Sequence, residues 1–178
     1  ICEVKACKDG SHVTTDKRSC AKDTYLTCGP NDLNCSEEIK NSKSTRCTDG
    51  QCFATECDVN YHLSADNKSC VEDSPNACGY PTMNCNDLRM PNSNVEAVAC
   101  NEGNCEVKSC TGDNHVSADK KTCEVDTIHA CGPKIDDCTK MITGNVVEAI
   151  CQGGECKVST CKEGYEVNGD QTERVEKA

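Results

Sequence analysis

Twenty cysteines in 178 residues are the groups of this sequence with the most chemistry to offer. A thiolate can ligate a metal, act as a nucleophile or oxidise to a disulfide, and spacing separates these fates. Zinc sites draw on close pairs such as C-x2-C with histidines at matching spacing, whereas no C-x2-C or C-x-C occurs in this chain. At more than one cysteine in ten residues, a disulfide scaffold is the default reading. Histidine comes next: His12, His62 and His115 recur at one place, each four residues before Asp16, Asp66 or Asp119. Such a pair could move a proton or sense pH. In the last copy the position is Glu166, and no nucleophile stands free nearby. The expectation is therefore a cross-strand pair on an exposed hairpin, worth a fraction of a kcal/mol, and no catalytic residue.

The elements that position these groups repeat. The pattern C-x6-C-x11 to 14-C-x4-C-x4-C-x12-C runs through Cys28, Cys35, Cys47, Cys52, Cys57 and Cys70, and again through Cys78, Cys85, Cys100, Cys105, Cys110 and Cys123. A third copy begins with Cys131, Cys138, Cys151, Cys156 and Cys161, but Arg174 stands where its sixth cysteine would be. Cys2, Cys7 and Cys20 supply the last three members of a further copy. We divide the chain accordingly: a partial module over 1–20, complete modules over 28–70 and 78–123, and a module without its sixth cysteine over 131–178. A period near 50 residues marks a tandem array whose units touch chiefly their neighbours.

Each unit reads as two short hairpins. Asp49-Gly50, Glu102-Gly103 and Gly153-Gly154 lie between the third and fourth cysteines, and a tight turn there needs positive φ at Gly50, Gly103 and Gly154. Residues 95–99 and 147–150 are short, β-branched strands leading into it. After the second cysteine, residues 36–39, 86–90 and 139–142 each open on a capping-type residue and have room for about one helical turn. Connectors 21–27, 71–77 and 124–130 carry Asp23, Asp73 and Asp126 in register. They are too short for free linkers, which suggests a semi-stiff rod.

Leu, Ile, Val and Phe make up 25 of the 178 residues, there is no Trp, and the formal charge is -11. Without its cysteines such a chain would be predicted disordered, so covalent staples must stand in for a core. Disulfides at this density require an oxidising compartment, and the expected location is extracellular or cell-surface. The acidic balance argues against nucleic acid as a partner. No apolar run approaches the length of a membrane span. Ile1 falls inside a repeat, which suggests that a targeting sequence was removed upstream or that the sequence is a segment of a longer chain.

Two stretches carry a family resemblance: Cys57-Asp58-Val59-Asn60-Tyr61-His62-Leu63-Ser64-Ala65-Asp66-Asn67-Lys68-Ser69-Cys70 and Cys161-Lys162-Glu163-Gly164-Tyr165. They resemble the last loop of EGF-like modules, C-x-x-G-Y-x-L-x-x-D-x-x-x-C. Cysteine-rich tandem repeats of microbial surface proteins are similar to the same degree. The family usually has one residue between its fourth and fifth cysteines, where this chain has four. The resemblance implies a small disulfide-rich fold, a tandem array of EGF-like modules with short β-hairpins and at most single helical turns. Its connectivity, carried over, implies bridges Cys7 to Cys20, Cys28 to Cys47, Cys35 to Cys52, Cys57 to Cys70, Cys78 to Cys100, Cys85 to Cys105, Cys110 to Cys123, Cys131 to Cys151 and Cys138 to Cys156. Cys2 and Cys161 are left unpaired or intermolecular, and a link from Cys161 of one chain to Cys2 of the next would give head-to-tail assembly.

The calcium-binding subclass of that family wants an acidic cluster before the first cysteine, and the connectors offer only Glu72-Asp73 and Asp126. No cofactor is expected, weak calcium association with the acidic surface excepted. Asn34-Cys35-Ser36 and Asn67-Lys68-Ser69 match the N-glycosylation pattern, making Asn34 and Asn67 candidate acceptors. The function expected is that of a non-enzymatic structural or adhesive repeat protein, a stalk, spacer or fibre subunit whose partners are other extracellular proteins or glycans. The alternative is a ligand-binding module such as a receptor ectodomain, toxin or inhibitor.

Overall fold

The computed structural model describes residues 2–177. By contact density the chain falls into two compact units, one comprising Ile1–Asn84 with Cys100–Cys105, the other Cys85–Ala99 with Glu106–Ala178. Both are built from small antiparallel hairpins, as the small disulfide-rich class requires. In the first unit β1 (Ser11–Val13) pairs with β2 (Cys20–Lys22), β3 (Ser42–Thr48) with β4 (Gln51–Cys57), and β5 (Tyr61–Leu63) with β6 (Cys70–Glu72). β7 (Val95–Asn101) and β8 (Asn104–Cys110) form the next hairpin. In the second unit β9 (Asn114–Val116) pairs with β10 (Cys123–Val125), β11 (Val146–Gln152) with β12 (Glu155–Cys161), and β13 (Tyr165–Val167) with β14 (Arg174–Glu176).

The long hairpins turn in two residues. Thr48 stands opposite Gln51 and Gln152 opposite Glu155, leaving Asp49-Gly50 and Gly153-Gly154 as the turns. Both residues of each turn have positive φ, 50° and 72° in the first, 61° and 75° in the second. That is the type I′ geometry whose twist suits a hairpin. Glu102 and Gly103 repeat it at 48° and 77°.

Single helical turns follow each second cysteine: α1 (Cys35–Glu38), and 3-10 turns at Cys85–Leu88 and Cys138–Met141. The caps differ from the sequence reading. Asn34 and Asp137, the residues before the cysteines, accept from the backbone N–H of Ser36 and Thr139, so Ser36 and Thr139 lie inside the turns they were expected to open. The cysteine itself is the first helical residue, and the side chain just before it caps the turn.

The core is largely sulfur. Cys47 and Cys52 face each other across β3 and β4, and their bridges run to Cys28 and Cys35, pulling the 28–35 loop onto the hairpin. Cys28 and Cys35 are fully buried. The sulfurs of Cys28, Cys35 and Cys52 lie within 4.8 Å of one another, as do those of Cys131, Cys138 and Cys156. All six are consumed in disulfides, so the trios are packing, not thiolate metal sites. Ile128, Met141 and Ala149 pack against the second sulfur cluster.

The short hairpin docks on the long one through a backbone bond. The N–H of Ala54 donates to the carbonyl of Asn67 at 2.7 Å, that of Val107 to Lys120 at 2.8 Å and that of Val158 to Gln171 at 2.6 Å. Each acceptor residue sits at the hairpin tip with positive φ, which turns its carbonyl toward the neighbouring strand. Ala54, Val107 and Val158 are buried as a result.

The glycine after each first cysteine sits on the type I′ turn. A Cβ built on Gly29 would stand 2.6 Å from the Gly50 carbonyl oxygen, at a φ of 70° that L side chains disfavour. Gly79 and Gly132 make the same approach to Gly103 and Gly154. We expect Gly29→Ala to destabilise the oxidised protein by about 2 kcal/mol or more, because backbone rather than a flexible side chain must move. Gly169→Ala, where the added carbon meets nothing within 4 Å, should stay within about 0.5 kcal/mol of the parent. Thermal unfolding without reductant compares the two; equal midpoints would contradict the close approach.

Candidate functional site

The recurring histidines are buried, which corrects the expectation of an exposed cross-strand pair. His12, His62 and His115 are 5%, 7% and 3% exposed. Each is the central residue of a three-residue strand whose middle side chain points inward. The residues opposite them across the hairpin are Ala21, Val71 and Glu124. Nδ1 of each ring lies 2.7, 2.8 and 2.8 Å from Oδ1 of Asp23, Asp73 and Asp126 respectively. These are the connector aspartates, eleven residues downstream.

The same carboxylate oxygen accepts a second bond. The backbone N–H groups of Gly29, Gly79 and Gly132 donate to Oδ1 of Asp23, Asp73 and Asp126 at 3.1, 3.0 and 3.0 Å. Each aspartate's own N–H is tied back to the carbonyl of Gly10, Asn60 or Asp113. A chain of contacts results: strand histidine, connector aspartate, loop glycine, turn glycine. It joins a short hairpin to the next disulfide-stapled loop. Burial makes it count, since an aspartate side chain only 4 to 8% exposed must have its acceptors filled. In the last hairpin Glu166 replaces histidine, is exposed, and faces Val175.

Asp16, Asp66 and Asp119 do different work. Each accepts from a hydroxyl two residues back, Thr14, Ser64 or Ser117, and from a backbone N–H two residues on, Arg18, Lys68 or Lys121. They fasten the hairpin tip. The Thr14 and Ser117 hydroxyls hold Asp16 and Asp119 below the ordinary value of 3.8, and the Lys68 N–H leads for Asp66. The stability these carboxylates contribute is present above pH 3.8 and is lost as pH falls through their lowered values.

The three joints differ at the second ring nitrogen. Nε2 of His12 lies 2.6 Å from Oδ1 of Asp32. Nε2 of His115 is buried without a hydrogen-bond partner among the described residues, with the Glu124 carboxylate 3.6 Å away.

Of the other residues singled out in the sequence, the structure bridges Cys7–Cys20, Cys28–Cys47, Cys35–Cys52, Cys57–Cys70, Cys78–Cys100, Cys110–Cys123, Cys131–Cys151 and Cys138–Cys156. Cys85 and Cys105 are also disulfide-bonded. Cys2 is free and exposed, Cys161 free and half-buried. Arg174 faces Val167 in β14 as Cys70 faces Leu63 and Cys123 faces Val116, so it occupies the sixth-cysteine position in space as well as in sequence. Asn34 caps α1, and Asn67 forms the tip of the β5–β6 hairpin with Oδ1 buried. Asp73 and Asp126, two of the connector acids considered for calcium, are engaged by histidine and glycine. Beside the second joint lies an open cleft of about 660 Å³ lined by Asp58, Tyr61, Tyr80 and Glu102, among others.

Replacing Asp73 by Ala strands the Nδ1–H of His62 and the N–H of Gly79. We expect a loss of about 2 to 4 kcal/mol, one to two buried donors' worth, and faster amide exchange at Gly79. Asp66→Ala, at the exposed tip, should move the denaturation midpoint far less. Equal losses from the two substitutions would contradict the joint.

The stapled hairpin pairs are compatible with EGF-like modules. No family model matches the chain, and neither a curated protein nor a solved structure matches it.

Proposed function

We propose that this chain is a non-enzymatic extracellular repeat protein that serves as a structural or adhesive spacer, a stalk or fibre subunit. The observation that carries this reading is the joint itself, built three times from a histidine, an aspartate eleven residues on and a glycine six residues beyond that, each set resting on a turn glycine. It leaves the connector aspartate fixed at both backbone and side chain, so a hairpin and the loop after it are held in one arrangement. Eighteen disulfide-bonded cysteines favour an oxidising compartment. No helix among the described residues is long and apolar enough to cross a membrane. Partners in this reading are other extracellular proteins or glycans, and the free thiols of Cys2 and Cys161 are the groups through which copies would join head to tail.

A second reading, a ligand-binding module, is favoured by the cleft at Tyr80 and Glu102. Saturable binding to an extracellular protein or glycan array, lost on Tyr80→Ala or Glu102→Ala, would support it over the first.

The spacer reading is tested mechanically. Held between two handles and pulled without reductant, the chain should resist lengthening and then yield in discrete steps. A variant with Asp23, Asp73 and Asp126 changed to Ala should yield at lower force. Smooth lengthening of the parent as a flexible coil would contradict a spacer role.

A further inference from the structure

At the first joint both ring nitrogens of His12 stand within hydrogen-bond distance of a carboxylate oxygen. Asp23 Oδ1 stands 2.7 Å from Nδ1 of His12, and Asp32 Oδ1 stands 2.6 Å from Nε2. Carboxylates only accept hydrogen bonds, and a neutral imidazole has a single N–H. Both contacts are satisfied together when the ring is an imidazolium. At the second and third joints the residues in the place of Asp32 are Thr82 and Ile135. There each ring has one hydrogen-bonded carboxylate, Asp73 or Asp126 at Nδ1, and Glu124 comes no closer than 3.6 Å to Nε2 of His115.

The surroundings suit a cation. Lys8 and Asp9 before β1, Asp23 of the connector and Asp49 of the β3–β4 turn line one cleft with His12, while Asp32 reaches the ring from the 28–35 loop. The two carboxylates that touch the ring are Asp23 and Asp32, while Asp9, Asp49 and the Lys8 ammonium share the cleft around it. Asp32 is more exposed than Asp23, with 38% of its side chain open to solvent against 8%. Its hold on the ring is the one that water can replace.

We infer that the joint at His12 is a proton-operated clasp, in which the imidazolium ties the 28–35 loop to the β1–β2 hairpin through Asp32. Loss of the Nε2 proton to solvent leaves a lone pair facing the Asp32 carboxylate and releases it. The Nδ1–H bond to Asp23, and with it the Gly29 contact, stays. The clasp is thus graded: one of its two ties opens. The hydrogen bond to Asp23 raises His12 above the ordinary value of 6.5; burial opposes this, and Asp32 adds to it. A raised folded value means that the stabilisation is full below pH 6.5 and is lost as pH rises through the folded value. Closure belongs to the side below that raised value, opening to the side above it.

The test is a nitrogen-15 NMR titration of the His12 ring in the full oxidised chain, from about pH 5 to 9, alongside Asp32→Asn. Asparagine tolerates the left-handed backbone at this position, where φ is 48°. In the parent, both ring nitrogens of His12 should stay protonated past pH 6.5. In Asp32→Asn its proton affinity should fall at least about threefold, while the slow exchange of the Gly29 amide is unchanged. A parent midpoint at or below 6.5 would overturn the clasp without any variant being needed. So would a midpoint that Asp32→Asn leaves where it was.

Discussion

Everything in this structure depends on adjacent disulfides that fasten one loop to one hairpin. Cys47 and Cys52 are opposite residues in a ladder, yet each is bonded not to the other but to Cys28 and Cys35 at the two ends of a six-residue loop. The loop is thereby clamped at both ends, and four half-cystines fill the space that large aliphatic side chains occupy elsewhere. Bridges that close segments of 13 to 22 residues each restrict the unfolded chain by about 3 kcal/mol. Ordering a residue costs about 1 to 2 kcal/mol. With few apolar side chains to set against that cost, the fold can be ordered only where the staples keep its segments short.

The clamp has a second consequence, carried by backbone rather than sulfur. Once the 28–35 loop lies on the β3–β4 hairpin, the residue after its first cysteine meets the turn of that hairpin. Only glycine fits between the carbonyl of Gly50 and its own positive φ. Its N–H is then aimed at the preceding connector, where Asp23 accepts it. The aspartate in turn orders the histidine of the hairpin before it. One geometric demand, close approach of two turns, thus reaches from the sulfur cluster into the neighbouring hairpin, and it recurs at Gly79 and Gly132.

Much of this was legible in the residues. Cysteine spacing exposed the repeats, Asp49-Gly50 and Gly153-Gly154 marked the tight turns, and a single helical turn fitted the room after each second cysteine. All of these are local, set by steric preference or by count. The histidines mislead because a hairpin suggests partners across its own strands, and Asp16, Asp66 and Asp119 lie near them in sequence. The true partners sit in the connectors, where they serve the next loop. Their fixed register, at Asp23, Asp73 and Asp126, was a usable signal, but it had meaning only once the connector was known to fold back. The glycine contacts were invisible for a like reason, since Gly29 and Gly50 meet only after the disulfides have closed. Capping by Asn34 and Asp137 depended on the cysteine being the first helical residue, which the pattern of capping types did not reveal.

Paired staples clamp each loop to the hairpin that follows it. Proteolysis of the oxidised chain under non-reducing conditions, followed by mass spectrometry of the linked peptides, tests it most directly. Cys28 should be found linked to Cys47 and Cys35 to Cys52, with the same arrangement for Cys131 with Cys151 and Cys138 with Cys156. A peptide in which Cys28 is joined to Cys35, or one that joins Cys57 to Cys110, would contradict it.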